Sequence, residues 1–383
     1  MTTSFRLFRV RGIDVKMHIT FPLILIWAGF VFGTAGPGGF SLSGAVFGVV
    51  VTLILFVCVV IHELSHSLAA LRMGYPVREI VLLPLGGVAQ IEKLPELPRQ
   101  ELIMSLVGPL SNVVIGGVLL AIVLLLGIDV QASLMKIVME PAELGWSDVL
   151  PYLTFTNFAL AAFNLIPAFP MDGGRVLRAL LATSLPFARA TAIAVSVGQA
   201  VAWMLGLAGL LTRNVTWILV AVFVFAGAAQ EGRMIRVKDA LRGLLVRHAF
   251  SHGAIAISPG DPISRAADLT FESFQADFPV CTGDLTCERG SIVGLLTYAD
   301  TLRALRSRSP DTPVREVMRS EFPRVTLDDE LFEAQRRMSE AKVDAVPVID
   351  DGQFLGLLTR RDISEVYQLL SVSPELITRE QPA

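Results

Sequence analysis

The sequence predicts a polytopic α-helical membrane domain of about six transmembrane helices, with a small membrane-associated β-hairpin or sheet, followed by a soluble α/β module of tandem repeats. Three observations predict it. Hydrophobic residues make up 53% of the 383 and charged residues only 17%, with a mean hydropathy of +0.60, as in a chain lying largely in lipid. The charge is unevenly spread: apolar runs dominate up to Ala229, whereas from Gln230 onward charged residues recur every few positions. The soluble part then repeats itself, since Gly294-Leu295-Leu296-Thr297-Tyr298-Ala299-Asp300 returns as Gly356-Leu357-Leu358-Thr359-Arg360-Arg361-Asp362. The expected boundaries are 1–232 for the membrane domain, 233–310 and 311–372 for the repeats, and 373–383 for a C-terminal tail.

In chain order, Ser4 to Val10 alternates polar and apolar residues and suggests a short strand before the first apolar run, Ile19 to Gly36. No small-residue cleavage site follows it, so no removable signal peptide is expected. His18 opens that span as an interfacial residue. After a turn at Gly36-Pro37-Gly38-Gly39 comes the second span, Leu42 to Leu71, which carries His62-Glu63-Leu64-Ser65-His66. On a helix this spacing puts the two histidines about 40° apart around the axis and one turn apart along it, so both imidazoles can reach one Zn²⁺. In zinc peptidases a Glu in this place takes the proton of a water whose pKa the metal lowers to about 7. Polar residues pairing helices would be the plainer explanation, but three ligand-type side chains within an apolar run are costly and need a partner.

Val77 to Leu83 and Val88 to Glu92 are β-prone and flank Gly86-Gly87, which reads either as a hairpin at the membrane surface or as an ordinary inter-helix loop. Leu102 to Leu126 is a third span, holding Gly108-Pro109-Leu110-Ser111-Asn112, residues tolerated in membrane helices that pack closely. Asp148 to Ile166 is a fourth, running into Pro167-Ala168-Phe169-Pro170-Met171-Asp172-Gly173-Gly174, where two prolines and two glycines break the helix. Asp172 beside that break is the candidate third metal ligand, because two histidines alone do not make a zinc site; a helix N-cap is its plainer role. Ala188 to Leu211 and Val215 to Ala229 supply the last two spans. Arg and Lys gather at the N-terminal arm, at Arg72 to Arg99, at Arg175 to Arg189 and at Arg233 to Lys238, so the positive-inside rule places both termini in the cytoplasm, with the loop from Ile128 to Ser147 outside. A prokaryotic cell membrane is the expected location.

In the tail the second repeat reads as helix, strand, turn, strand and helix from Leu331 to Leu370, and such units usually stack on each other. A homodimer through the repeats is also expected. Thr297, Asp300, Thr359 and Asp362 could hold a ribose and phosphate at a helix N-terminus, or simply cap the helices. A net charge of −3 without a basic, aromatic patch excludes nucleic acid. Cys58 packs in the second span, and a reducing cytoplasm would leave Cys281 and Cys287 as thiols.

On these motifs the sequence resembles the site-2 protease family of intramembrane metalloproteases, in the six-span branch with a C-terminal pair of CBS (Bateman) modules. His62-Glu63-Leu64-Ser65-His66 matches its zinc motif, and Asn164 to Gly173 its second motif, N-x-x-P-x-x-P-x-D-G. The resemblance implies an endopeptidase that cleaves a membrane protein within the bilayer, with one Zn²⁺ per chain on His62, His66 and Asp172. It implies Glu63 as general base and Asn164 as a group that helps hold the substrate carbonyl or its oxyanion. Gly86, Gly87 and Val88 fall in a hairpin thought to receive the unwound substrate as an added strand, and the CBS pair would sense ATP, ADP or AMP. The irregular segment Phe271 to Ile292 departs from the CBS pattern. A CBS-regulated ion transporter or channel is the competing class; a Glu beside the first His serves hydrolysis and has no purpose in a conduction path.

Overall fold

The computed structural model describes residues 4–35, 39–84, 86–91, 97–140, 143–241, 243–282 and 291–372. The expected turn at Gly36-Pro37-Gly38 and the thiol of Cys287 lie outside them. Two compact units divide the chain, Met1–Arg233 and Met234–Ala383.

The first unit opens with β1 (Ser4–Val10) and β2 (Ile13–His18), an antiparallel hairpin of which only the first strand was legible beforehand. β2 pairs in parallel with β3 (Val77–Leu83), and β3 antiparallel with β4 (Gly86–Ile91), so the sheet order is β1-β2-β3-β4 and β4 is an edge. The hairpin expectation therefore holds over the loop alternative, within a larger sheet. Its inner face, Ile13, Val15, Ile80 and Leu82, packs on Phe56, Val60 and Ala70 of α2 (Leu42–Arg72). That burial fixes the register, because a one-residue slip would turn these side chains to the opposite face.

α2 starts where the Ser41 hydroxyl accepts the Gly44 N–H and stops where Gly74 takes a positive φ. Its 31 residues span about 46 Å, and Leu53, Val57 and Ile61 are exposed, as a lipid-facing stripe requires. α3 (Pro98–Leu125), α7 (Phe187–Leu211) and α8 (Val215–Ala240) follow the same plan, and these four are the helices long and apolar enough to cross a membrane among the described residues. The other two expected spans are shorter: α1 (Pro22–Thr34) has 13 residues because β2 and its turn consume the chain up to Phe21, and α5 (Val149–Asn164) has 16. The loop expected between Ile128 and Ser147 contains α4 (Val130–Met139), capped by Asp129, whose side chain accepts the Gln131 and Ala132 N–H groups. α6 (Asp172–Leu181) completes the unit.

The second unit contains β5 (Ser251–His252), α9 (Ile263–Ser273), β6 (Phe278–Thr282), β7 (Ser291–Leu296), α10 (Tyr298–Ser307), α11 (Leu331–Ala341), β8 (Ala345–Asp350), β9 (Gln353–Thr359) and α12 (Arg360–Val372). The first repeat forms the antiparallel pair β6-β7, and residues 283–290 of the stretch expected to be irregular lie outside the described residues; the second repeat forms β8-β9 with β5 added. Cys281, expected as a thiol, is disulfide-bonded.

The leading arms of the repeats are exchanged. Val246 N–H, ahead of the first repeat, donates to Asp329 O (2.9 Å) at the head of the second, and Leu331 N–H answers to Leu244 O (2.9 Å). Symmetrically, Val314 N–H donates to Asp261 O (2.9 Å) and Ile263 N–H to Thr312 O (3.0 Å). Leu241, Leu244 and Val246 accordingly lie in the core of the second repeat, and Val314 in that of the first.

Candidate metal centre

His62 and His66 project from the C-terminal third of α2, and both are buried. Asp172 comes from the helix break. After α5, the chain turns through Ile166 to Met171, and Asp172 opens α6; Met171 holds the N-cap position, so Asp172 is not the cap. Gly173 and Gly174 permit this reversal, since a Cβ on Gly173 would run into the Leu165 and Ile166 carbonyls and one on Gly174 would fall 2.6 Å from Phe169 N.

The three candidate ligand atoms meet. His62 Nε2 lies 3.2 Å and His66 Nε2 3.1 Å from Asp172 Oδ2, and the two nitrogens are 3.1 Å apart. Four ligands at about 2.0–2.1 Å in a tetrahedron stand about 3.3 Å from one another, so this triangle matches one face of a zinc site. The space beside it is kept open. On α3, a Cβ at Gly108 would come 2.7 Å from His62 Nε2 and closer still to His66 Nε2, so only a residue without a side chain leaves room for an ion there.

Both rings are oriented from behind. His66 Nδ1 lies 2.6 Å from Met104 O, which can only accept, so Nδ1 carries the proton and Nε2 presents its lone pair. His62 Nδ1 donates to Asn112 Oδ1 at 2.5 Å, the side-chain amide being fixed because Asn112 Nδ2 donates to Asn157 Oδ1 (3.0 Å) and Asn157 Nδ2 to Leu153 O (2.8 Å). Such acceptors set ring direction and basicity. Asn112, Asn157 and the Met104 carbonyl were not singled out from sequence, although an amide inside each of two apolar spans was a usable signal.

Glu63 is half-buried and has no hydrogen bond or ion pair among the described residues. A Cβ on Gly87 would lie 2.5 Å from Glu63 Cγ, so the edge strand β4 passes directly over this carboxylate. Gly86 begins β4 with positive φ, and Val88 is exposed. Asn164 ends α5 half-buried, and its side chain makes no hydrogen bond among the described residues, so it is not bound to the ligand triangle.

In the second unit the repeated pairs are helix caps. Thr297 Oγ1 accepts the Asp300 N–H (3.2 Å), and Thr359 Oγ1 that of Asp362 (3.1 Å). Beyond this they differ. Asp300 is buried and held by Arg319 Nε (2.7 Å), Arg303 Nη1 (2.8 Å) and the Thr297 hydroxyl (2.6 Å). Burial opposes its ionisation, but the Arg319 and Thr297 hydrogen bonds outweigh that and keep the carboxyl below the usual carboxylate range. Asp362 is half-buried and, among the described residues, hydrogen-bonds Thr359 and the Ser251 hydroxyl (3.0 Å) without an arginine.

Comparison with known proteins addresses both units. Residues 50–205 match the model of peptidase family M50, and residues 314–368 that of the CBS domain. A zinc metalloprotease of Methanocaldococcus jannaschii is 32% identical over 98% of this chain and 99% of its own length. A CBS domain-containing protein of Bacillus subtilis is 28% identical over 31% of this chain and 82% of its own length. Among solved structures, a site-2 protease from Methanocaldococcus jannaschii aligns with 39% identity over 60% of this chain and 95% of that one, with a TM-score of 0.45.

Proposed function

The chain belongs to peptidase family M50, as a membrane zinc metalloprotease of the site-2 type with a CBS tail, and on that footing we propose that it cleaves a peptide bond in or near a transmembrane segment of a membrane-bound protein. His62 Nε2, His66 Nε2 and Asp172 Oδ2 would hold the zinc. When bound, zinc supplies a water acidic enough to ionise near neutral pH and a polarising charge for the scissile carbonyl. Glu63 takes the proton of the attacking water as its oxygen adds to the carbonyl carbon. The C–N bond then breaks, and Glu63 returns the proton to the leaving amine nitrogen. Asn164 donates a hydrogen bond to the carbonyl oxygen.

The observation that carries this reading is the Glu63 carboxylate, which follows His62 in the chain, lies under the edge strand β4 and has no hydrogen-bond or ion-pair partner among the described residues. A carboxylate held in an ion pair would be a weaker base for that proton. A substrate helix hides its peptide bonds in its own hydrogen bonds, and pairing an unwound segment with β4 at Gly86, Gly87 and Val88 draws it out in extended form beside the base. The arginine distribution supports a cytoplasmic location for this end of the site and for both termini. The tail binds an adenine nucleotide and joins two chains; the freer Asp362 supports the second repeat as the site of that binding. Zinc content and cleavage of a membrane-inserted substrate, measured together, test the core of the proposal. Glu63→Gln should stop cleavage and keep about one zinc per chain, whereas Asp172→Ala should lose both. A Gln variant that still cleaves, or that loses its metal, would overturn the assignment.

A further inference from the structure

Among the described residues Arg178 is the largest side chain to be fully enclosed, at 1% exposure. An arginine withdrawn from water needs its charge and its donors answered on every side. Here Nε donates to Glu101 Oε1 of α3 at 2.8 Å, Nη2 reaches the same oxygen, and Nη1 pairs with Glu231 Oε1 of α8. The guanidinium carbon also stands 5.0 Å from the centres of the Phe169 and Phe187 rings.

Of these partners, Phe169, Glu101 and Glu231 lie close in the chain to something the metal centre depends on. Arg178 shares the ten-residue helix α6 with Asp172. Phe169 belongs to the turn that delivers Asp172. Glu101 precedes Met104, whose carbonyl orients His66, and α3 also supplies Asn112 and Gly108. Glu231 ties the same guanidinium to α8, where Gly227 leaves room for the Pro170 ring: a Cβ there would fall 2.5 Å from Pro170 Cδ. A helix as short as α6 has little intrinsic stability. Its N-terminal carboxylate can meet two histidines on another helix only if tertiary contacts fix its position.

We propose that Arg178 is a positioning residue for the metal centre, clamping α6 to α3 and α8 so that Asp172 closes the ligand triangle. This rests on the zinc assignment above. Lysine cannot span two carboxylates with a planar fork, and Gln at 231 keeps the shape while removing one charge, so Arg178→Lys and Glu231→Gln in the full chain are the informative variants. Two readouts report ligand geometry independently of turnover: the visible absorption of the Co²⁺-substituted protein and the rate at which zinc passes to a chelator. Both variants should shift the Co²⁺ bands and release zinc about tenfold faster, in line with the effect of disturbing groups that support metal ligands. Lys136→Met, which breaks the Lys136–Asp148 ion pair away from α6, should change neither. Wild-type spectra and release rates in a folded Glu231→Gln protein would refute the clamp while leaving the zinc site intact. Unfolding of Glu231→Gln would refute it as well, since the role would then be general stability. A wild-type chain that takes up neither metal would fail the zinc assignment itself.

Discussion

Gly108→Ala is the sharpest perturbation the metal centre offers, because it adds one methyl group and no charge. That methyl carbon would stand 2.5 Å from His66 Cε1 and 2.7 Å from His62 Nε2, where ordinary contact begins at 3.4 Å. Because His66 Nε2 lies closer still, relief requires the rings or α3 to give by roughly 0.9 Å or more, and the rings are tethered to α3 itself through Met104 O and Asn112. Ligand distances in a working zinc site hold to about ±0.2 Å, so the displacement is several times the tolerance. Loss of a single supporting hydrogen bond costs about 10–100-fold in metal affinity, and misplacing two ligands together should reach at least the upper figure, about 2.7 kcal/mol. Competition against a zinc chelator in detergent, with far-ultraviolet circular dichroism as the check on folding, measures it. Gly117→Ala on the same helix meets nothing within 4 Å and should bind zinc as the parent does. Zinc affinity of Gly108→Ala within about threefold of the parent would show that the ion does not sit between these helices.

Asn112→Ala should weaken zinc binding by about 10–100-fold through loss of the acceptor behind His62, measured in the same competition assay. Proline at Val88 or Ala89 removes one backbone donor from β4, and at whichever of the two faces outward it should slow cleavage severalfold with zinc content unchanged; full activity in both variants would remove the strand-pairing step. Calorimetric titration of the full chain with ATP, ADP and AMP should show heat that Asp362→Ala abolishes and Asp300→Ala reduces less, because Asp300 is already engaged by two arginines.

How far the sequence reached depended on the range of the interaction. The helical spacing of His62 and His66 is local, and so is the turn made by Pro167, Pro170, Gly173 and Gly174; both are visible in consecutive residues and both occur as expected. The β4 edge required more. Its two strands were legible, but the parallel pairing of β2 with β3 joins residues more than sixty positions apart and leaves no local trace. Short helices misled in the other direction. Ile19 to Gly36 is apolar throughout, yet β2 and its turn take the first residues and leave α1 with 13. Asn112, Asn157 and Gly108 matter through neighbours on other helices; Gly108 looked like an ordinary constituent of a packed membrane helix, whereas the amides of Asn112 and Asn157 inside apolar spans were a signal left unused.

The exchange of arms in the tail bears on how such a module could be divided. A chain ended near residue 310 would keep Leu241, Leu244 and Val246 but lose the pocket they fill, and would leave Ile263 and its neighbours without the strand-like cover that residues 312–314 provide. Half of the module is therefore not a smaller version of the whole. A protein carrying one repeat would have to lend its arm to a second molecule and borrow one in return, which makes the tandem arrangement a dimer whose partners have been joined end to end. Proteases probing the linker between the repeats should accordingly produce a nicked pair that stays together, and single cuts there should be silent until the module is unfolded.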